Sequence, residues 1–331
     1  MTVVDPAWIR ALPKAEVHVH LEGSLSPELV AVAALDVGRE VPERDFGDLA
    51  GFLSYLDRSC ALIATEGQVE DIAYGVARRA AGAGVRYVDV IWNPTHWPAW
   101  RGRLDRFVAA LDRGSGLAAD DGLPPIGVCV SLKRNQTAAE ALELVDWVIG
   151  LRHPRIVALS IDGNEAAAGR TGPRFAEAFA RARRAGLHRC AHAGESSGPE
   201  GVVDAIDHLG AERIDHGVRA VEDPSLVTRL ASEGIPLDVC PTSNVVLGVV
   251  PSLVGHPVEP LRRAGVRVSL NTDDPVLFST SVDAEYERCA TAFGWSAAEV
   301  GAVARTSIEA CFAPAGMRED LLRDLEGFLG T

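Results

Sequence analysis

The chain has 331 residues, of which 46 are acidic and 32 basic, giving a formal charge of −14. Apolar residues make up 47% and charged residues 24%, the balance of a soluble globular protein rather than a disordered or fibrous one. The acid excess, with no basic patch to offset it, excludes a general nucleic-acid binder, and no stretch reaches the ~18–20 apolar residues that span a bilayer.

The N-terminal segment, MTVVDPAWIRALPK, places an Asp and a Pro where a secretory leader needs a basic flank and an apolar run, which predicts a cytoplasmic protein. Six cysteines are scattered without a C-x-x-C pair and are expected as free thiols. The first predicted strand, residues 16–21 (EVHVHL), carries His18 and His20. Residues two apart on a strand face the same side, so both imidazoles point one way, a common start to a zinc or iron site. The competing reading, a pair of core histidines, would need buried partners for both rings. Strands two to four follow at residues 85–92 (VRYVDVIW), 126–132 (IGVCVSL) and 156–161 (IVALSI), the last running into Asp162-Gly163-Asn164-Glu165. Strand five, residues 188–193 (HRCAHA), ends at His192 and leads into Gly194-Glu195. Strand six, residues 213–216 (RIDH), ends at His216, and strand seven spans residues 236–240 (PLDVC). Strand eight, residues 267–271 (RVSLN), leads into Thr272-Asp273-Asp274-Pro275, where alternation would send the two carboxylates to opposite sides.

Between these runs lie segments with helical spacing, at residues 72–83, 137–150, 173–186 and 199–210, several closed by a glycine stop. Eight strands alternating with helices predict a single (β/α)8 TIM barrel domain over residues 1–331, with an open doubly wound sheet as the alternative. Chemistry in such barrels sits at the C-terminal strand ends. His18, His20 and His192 fall there with Asp273 and Asp274, of which one can ligate while the other faces substrate, a three-histidine, one-carboxylate set for a catalytic metal that leaves a position for water. The cation would lower the pKa of that water to about 7 and supply hydroxide, with Glu195 delivering a proton and His216 serving as base or positioning group. His153, His188, His208 and His256 lie off the C-terminal strand ends and His96 in a loop at one of them; all five are expected to be structural. Gly194-Glu195-Ser196-Ser197-Gly198 formally matches a nucleophile elbow, a reading that would leave the histidine pair and Asp273-Asp274 without a role.

The run from Leu12 to Ser24 (LPKAEVHVHLEGS) resembles the opening signature of the adenosine deaminase family. So do His192-Ala193-Gly194-Glu195, Asp215-His216-Gly217, Cys240-Pro241-Thr242-Ser243-Asn244 and Ser269-Leu270-Asn271-Thr272-Asp273-Asp274-Pro275. The resemblance implies a zinc barrel that converts a 6-aminopurine, adenosine first, to the 6-oxopurine (inosine) and ammonia. It implies metal ligation by His18, His20, His192 and Asp273, protonation of purine N1 by Glu195, orientation of the hydroxide by His216, and recognition of N7 by Asp274. Gly163, Glu22 and His20 are further expected substrate contacts. Two departures point elsewhere: Glu22, where nucleoside enzymes carry Asp, and Asp215 before His216 resemble branches acting on adenine or on N6- or 5′-modified adenosines. The loop at residues 96–103 (HWPAWRGR) matches nothing in the family pattern. A metal-dependent cyclic amidohydrolase is the alternative of another reaction class. The expected partner is a small purine, with no nucleic acid and no membrane; the oligomeric state stays open.

Overall fold

A computed structural model describes residues 4–44, 46 and 49–330; the first three residues of the N-terminal segment lie outside them. Eight parallel strands form one sheet in chain order: β1 (Lys14–His20), β2 (Val85–Trp92), β3 (Ile126–Lys133), β4 (Ile156–Asp162), β5 (His188–Ala193), β6 (Arg213–His216), β7 (Leu237–Val239) and β8 (Val268–Leu270). Every predicted strand is present within a residue or two. The reason is physical: strands buried on both faces read as near-continuous apolar runs, and a parallel ring has no solvated face to dilute them. The ring closes through a parallel bridge between Val19 and Asp273, with His20 N–H donating to Asp273 O at 2.7 Å and Asp273 N–H to His18 O at 3.1 Å. The protein is a (β/α)8 barrel.

The predicted helices form with better-defined starts than periodicity gave them. Helix Glu66–Gly82 begins at a capping box between Thr65 and Gln68, and helix Ala138–Leu151 at one between Thr137 and Glu140. Glycine is required at Gly84 (φ +76°), where a Cβ would stand 1.7 Å from the Arg10 carbonyl oxygen. Among the described residues no helix is long and apolar enough to cross a membrane. All six cysteines are free and buried.

The barrel interior is built in layers. At its base Ile91, Cys129, Ala158, Cys190 and Phe312 pack together. Above them the guanidinium of Arg213 lies 4.0 Å from the centre of the Phe312 ring. It pairs with Asp89 (2.6 Å) and Asp238 (3.0 Å) and donates to the carbonyls of Val17 and Ala310. Asp215, two residues on in β6, shares this layer. The histidines sit directly above it, so one buried arginine separates an apolar plug from a polar mouth.

Candidate active site

The strand ends deliver the expected residues to one cavity, lined by His20, Glu22, Gly163, His192, Glu195, His216, Asp273 and Asp274 with Asp162, His96 and a group of apolar side chains. Two of them sit in strained backbone: His216 (φ +67°) and Asp273 (φ +63°) occupy the left-handed region that non-glycine residues rarely use. Asp273 and Asp274 do not alternate as a strand pair would. β8 stops at Leu270, the turn that follows bends the chain, and both carboxyl groups line the same cavity. Asp274 lies so close to the turn after β1 that a Cβ on Gly23 would fall 1.8 Å from its Oδ1.

His18, His192, His216 and Asp273 offer ligand atoms that all lie within 4.8 Å of one another. His20 joins them, its Nε2 3.0 Å from His192 Nε2 and 3.3 Å from Asp273 Oδ1. Nitrogens about 2.0–2.1 Å from one zinc stand about 3 Å apart at a bond angle near 90°, so the pair His20–His192 fits cis ligands. The groups behind the cluster set proton positions. His18 Nδ1 donates to the Asp238 carbonyl at 3.0 Å, which leaves Nε2, buried and without a hydrogen-bond partner, as a lone pair facing the cluster. His192 Nδ1 is 3.3 Å from the Asp215 carboxylate, the carboxylate–histidine arrangement that orients metal-binding imidazoles. Asp273 Oδ1 faces His18 at 3.4 Å, while Oδ2 accepts from Ser243 Oγ at 2.6 Å. Burial opposes charge on His18, but Asp273 and Asp215 outweigh it and raise its pKa to about 10. The cluster therefore demands a positive charge, and three lone-pair nitrogens around a carboxylate suit a divalent cation better than a proton. Ser243→Ala, which frees Asp273 Oδ2, is expected to weaken metal affinity by about 10–100-fold in a chelator competition; unchanged affinity would show that Ser243 does not orient the carboxylate.

The acids of the cavity fall into two groups. Glu195 is buried with its Oε1 3.5 Å from His216 Nε2; burial, with the carboxylates of Asp273 and Glu165, pushes its pKa to about 8. Asp274 is pushed well above the usual carboxylate range by burial and by the Asp273 and Glu22 charges. Burial and like charge bias both toward the protonated form. Asn93 ties down two further carboxyls: its backbone N–H donates to Glu22 Oε1 (2.9 Å) and its side-chain amide to Asp162 Oδ1 (2.5 Å). Trp97 Nε1 also donates to Glu22 Oε1, at 2.7 Å. Glu22 Oε2 and Asp162 Oδ2 remain buried and without partners.

Several functional neighbours escaped the sequence reading. Glu165, at the start of a short helix after β4, accepts from the backbone N–H groups of Gly194, Glu195, Ser196 and Ser197 at 2.9–3.3 Å, and so holds the turn that presents Glu195. Arg134 bonds to the His192 carbonyl and lies 3.6 Å from Glu165. No local signal marks either residue, since both act through contacts far away in sequence. Helix Leu49–Cys60 covers the mouth with Leu49, Phe52, Leu53 and Leu56, joined by Leu247. Trp97 and Trp100 of the unmatched loop are fully buried against Phe107, so they anchor the loop, and Trp97 in doing so fixes Glu22. His96, expected to be structural, lines the cavity and is backed by Asp57 at 2.6 Å. Ser196 Oγ is buried with no hydrogen-bond partner, so no base activates it and the nucleophile-elbow reading has no support.

A (β/α)8 barrel with a His/Asp metal cluster and proton-bearing carboxyls at its C-terminal mouth defines a metal-dependent hydrolase of the amidohydrolase type. The family model described as adenosine deaminase matches residues 13–327. The chain is 37% identical over 321 residues to a Sinorhizobium medicae protein named adenine deaminase, covering 95% of this chain and 98% of that one. Its fold matches the crystal structure of adenine deaminase from Arthrobacter aurescens with a TM-score of 0.91 at 32% identity, covering 97% of this chain and 100% of that one. An amidohydrolase from Burkholderia ambifaria, solved with bound Zn, matches with a TM-score of 0.88 at 26% identity, covering 100% and 95% of the two chains. The chain belongs to the adenosine deaminase family. It is a hydrolase of C–N bonds that deaminates adenine-type purines.

Proposed function

We propose that the protein hydrolyses free adenine to hypoxanthine and ammonia, using a Zn2+ held by His18, His20, His192 and Asp273. The observation that carries this reading is the pair of unpartnered carboxyl oxygens, Glu22 Oε2 and Asp162 Oδ2, in the cavity that Glu195 and Asp274 also line. A free base presents an N–H on its imidazole edge, which a nucleoside has lost to the sugar. Buried oxygens with no other donor favour the ligand that supplies one. The relatives named for adenine support the same order, and adenosine, placed first from the sequence, moves to second. A 5′-phosphate finds no partner here: none of the described residues lining the cavity is Lys or Arg, and Glu22, Asp162, Glu195, Asp273 and Asp274 all line it.

When bound, the divalent cation supplies Lewis acidity that brings the pKa of water to about 7. Glu195 donates its carboxyl proton to N1, which makes C6 electrophilic. Asp274 donates to N7 and holds the ring in register. Water oxygen adds at C6; one water proton returns to Glu195 to replace the one given to N1, the other passes to the amine, and the C6–N6 bond breaks to release ammonia. Helix Leu49–Cys60 keeps bulk solvent out of the cavity. Six buried thiols are consistent with a cytoplasmic setting.

An ammonia-release assay across adenine, adenosine and AMP tests the assignment. Adenine is expected to exceed adenosine in kcat/KM by on the order of 10³-fold, because a site built around a hydrogen-bonding group rejects the analogue that lacks it. Equal turnover of adenosine would overturn the free-base reading while leaving deamination itself intact.

A further inference from the structure

His256 looked structural from the sequence, yet it begins a buried chain of hydrogen bonds that ends at the reacting centre. The backbone N–H of Val258 points at His256 Nδ1, 3.1 Å away. A backbone N–H can only donate, so Nδ1 accepts and the single proton of the neutral ring sits on Nε2. That Nε2–H lies 3.2 Å from Asn244 Oδ1, and the other arm of the amide, Nδ2, lies 3.2 Å from His216 Nδ1. The amide orientation is thus set by His256: oxygen toward the donor, NH2 toward His216. His216 Nδ1 must then accept, and its own proton is confined to Nε2. His256, Asn244 and His216 are each 1% exposed or less, so no bulk water can substitute for a link. Burial holds the His256 imidazole neutral, bringing its pKa to about 4.

We propose that His256 and Asn244 are positioning residues that lock His216 as the Nε2–H tautomer, making it a hydrogen-bond donor to the oxygen that attacks C6, and neither a proton acceptor nor a metal ligand. This deepens the reading above, because it places His216 in that reaction. It also separates two histidines that distance alone leaves equivalent. His216 lies within the tightest ligand group but offers an N–H, which cannot coordinate. His20, whose Nδ1 faces Glu22 at 3.9 Å, keeps Nε2 free for the cluster.

The tautomer is read by nitrogen NMR of the zinc-loaded enzyme labelled with 15N-histidine, with no substrate present, so the result is independent of which purine is deaminated. The expected wild-type spectrum shows His216 with a protonated Nε2 and a pyridine-like Nδ1. Asn244→Asp offers an acceptor to both neighbours and should move the His216 proton to Nδ1. Turnover should then fall on the order of 10²-fold, the scale of losing one preorganised donor, with KM little changed. His256→Phe, which frees the amide to rotate, should give a mixture of tautomers, and His256→Gln, which restores a donor, should recover the Nε2–H form. A wild-type His216 protonated on Nδ1 would overturn the proposal. So would an Asn244→Asp enzyme with the wild-type tautomer and kcat. Should Asn244→Asp fail to fold, the His256 pair decides: tautomers indistinguishable between Phe and Gln sink the relay.

Discussion

Replacing Glu195 by Gln is expected to lower turnover by about 10²–10⁴-fold while leaving the fold and the metal content intact. The amide has the shape of the protonated acid that burial and the neighbouring carboxylates of Asp273 and Glu165 maintain, so packing and hydrogen bonds survive. What is lost is a transferable proton beside N1. Glu165 holds the turn around Glu195 through four amide N–H groups, so the side chain is aimed identically in the variant. The pH profile supplies a second reading. The active form is the protonated carboxyl, so kcat/KM should fall as pH rises through the Glu195 pKa. That value is about 8 without a metal and is lowered by a divalent cation next to it. Gln cannot ionise, and its residual rate should lack this alkaline limb. A Glu195→Gln enzyme with near-normal turnover would remove Glu195 from the proton-donor role.

Arg213→Met is expected to destabilise the protein by about 3–5 kcal/mol, the usual cost of removing one partner from a buried charge network. The guanidinium reaches Asp89, Asp215 and Asp238 from a side chain that is 1% exposed. Met fills much of its volume over Phe312 but leaves three buried carboxyls without their cation. At least one must take up a proton, its folded pKa rising above the unfolded value. Stability gained from such a group is present at low pH and lost as pH rises through the raised pKa, so the variant should be least stable at alkaline pH. Urea midpoints of both proteins at mildly acidic and mildly alkaline pH measure this. Metal affinity should drop as well, since Asp215 backs His192 and the Asp238 carbonyl backs His18. Equal midpoints at both pH values would show that the carboxyls are balanced elsewhere.

The residues that line the cavity from the ends of β1, β5 and β6 were legible because a strand's burial pattern and its last residue are local properties. The barrel followed from counting eight such runs. The turn after β8 was read correctly in content and wrongly in direction: the alternation argument assumed a strand through Asp273 and Asp274, whereas Asp273 takes a left-handed conformation and turns both carboxyls into the cavity. Glu165, Asn244 and His256 stayed hidden for a different reason. Their partners, at residues 194–197, at His216 and at Asn244 itself, lie 12–32 residues away along the chain, and only closure of the barrel brings them together. The helix over the mouth was missed because its apolar face covers a cavity rather than the barrel core, so no neighbouring strand announced it.

His216 and Asp273 hold their left-handed backbones against an inherent cost of about 1–3 kcal/mol each. Glycine would accept either conformation freely, so selection for folding alone would favour replacing both. The side chains at both positions therefore stand where the backbone alone would be better served by glycine. In a gene copy released from catalysis these two sites should drift early toward Gly or Asn while the apolar strand residues persist. A descendant that keeps the barrel but carries glycine at both is a lineage that gave up the reaction and became more stable for doing so.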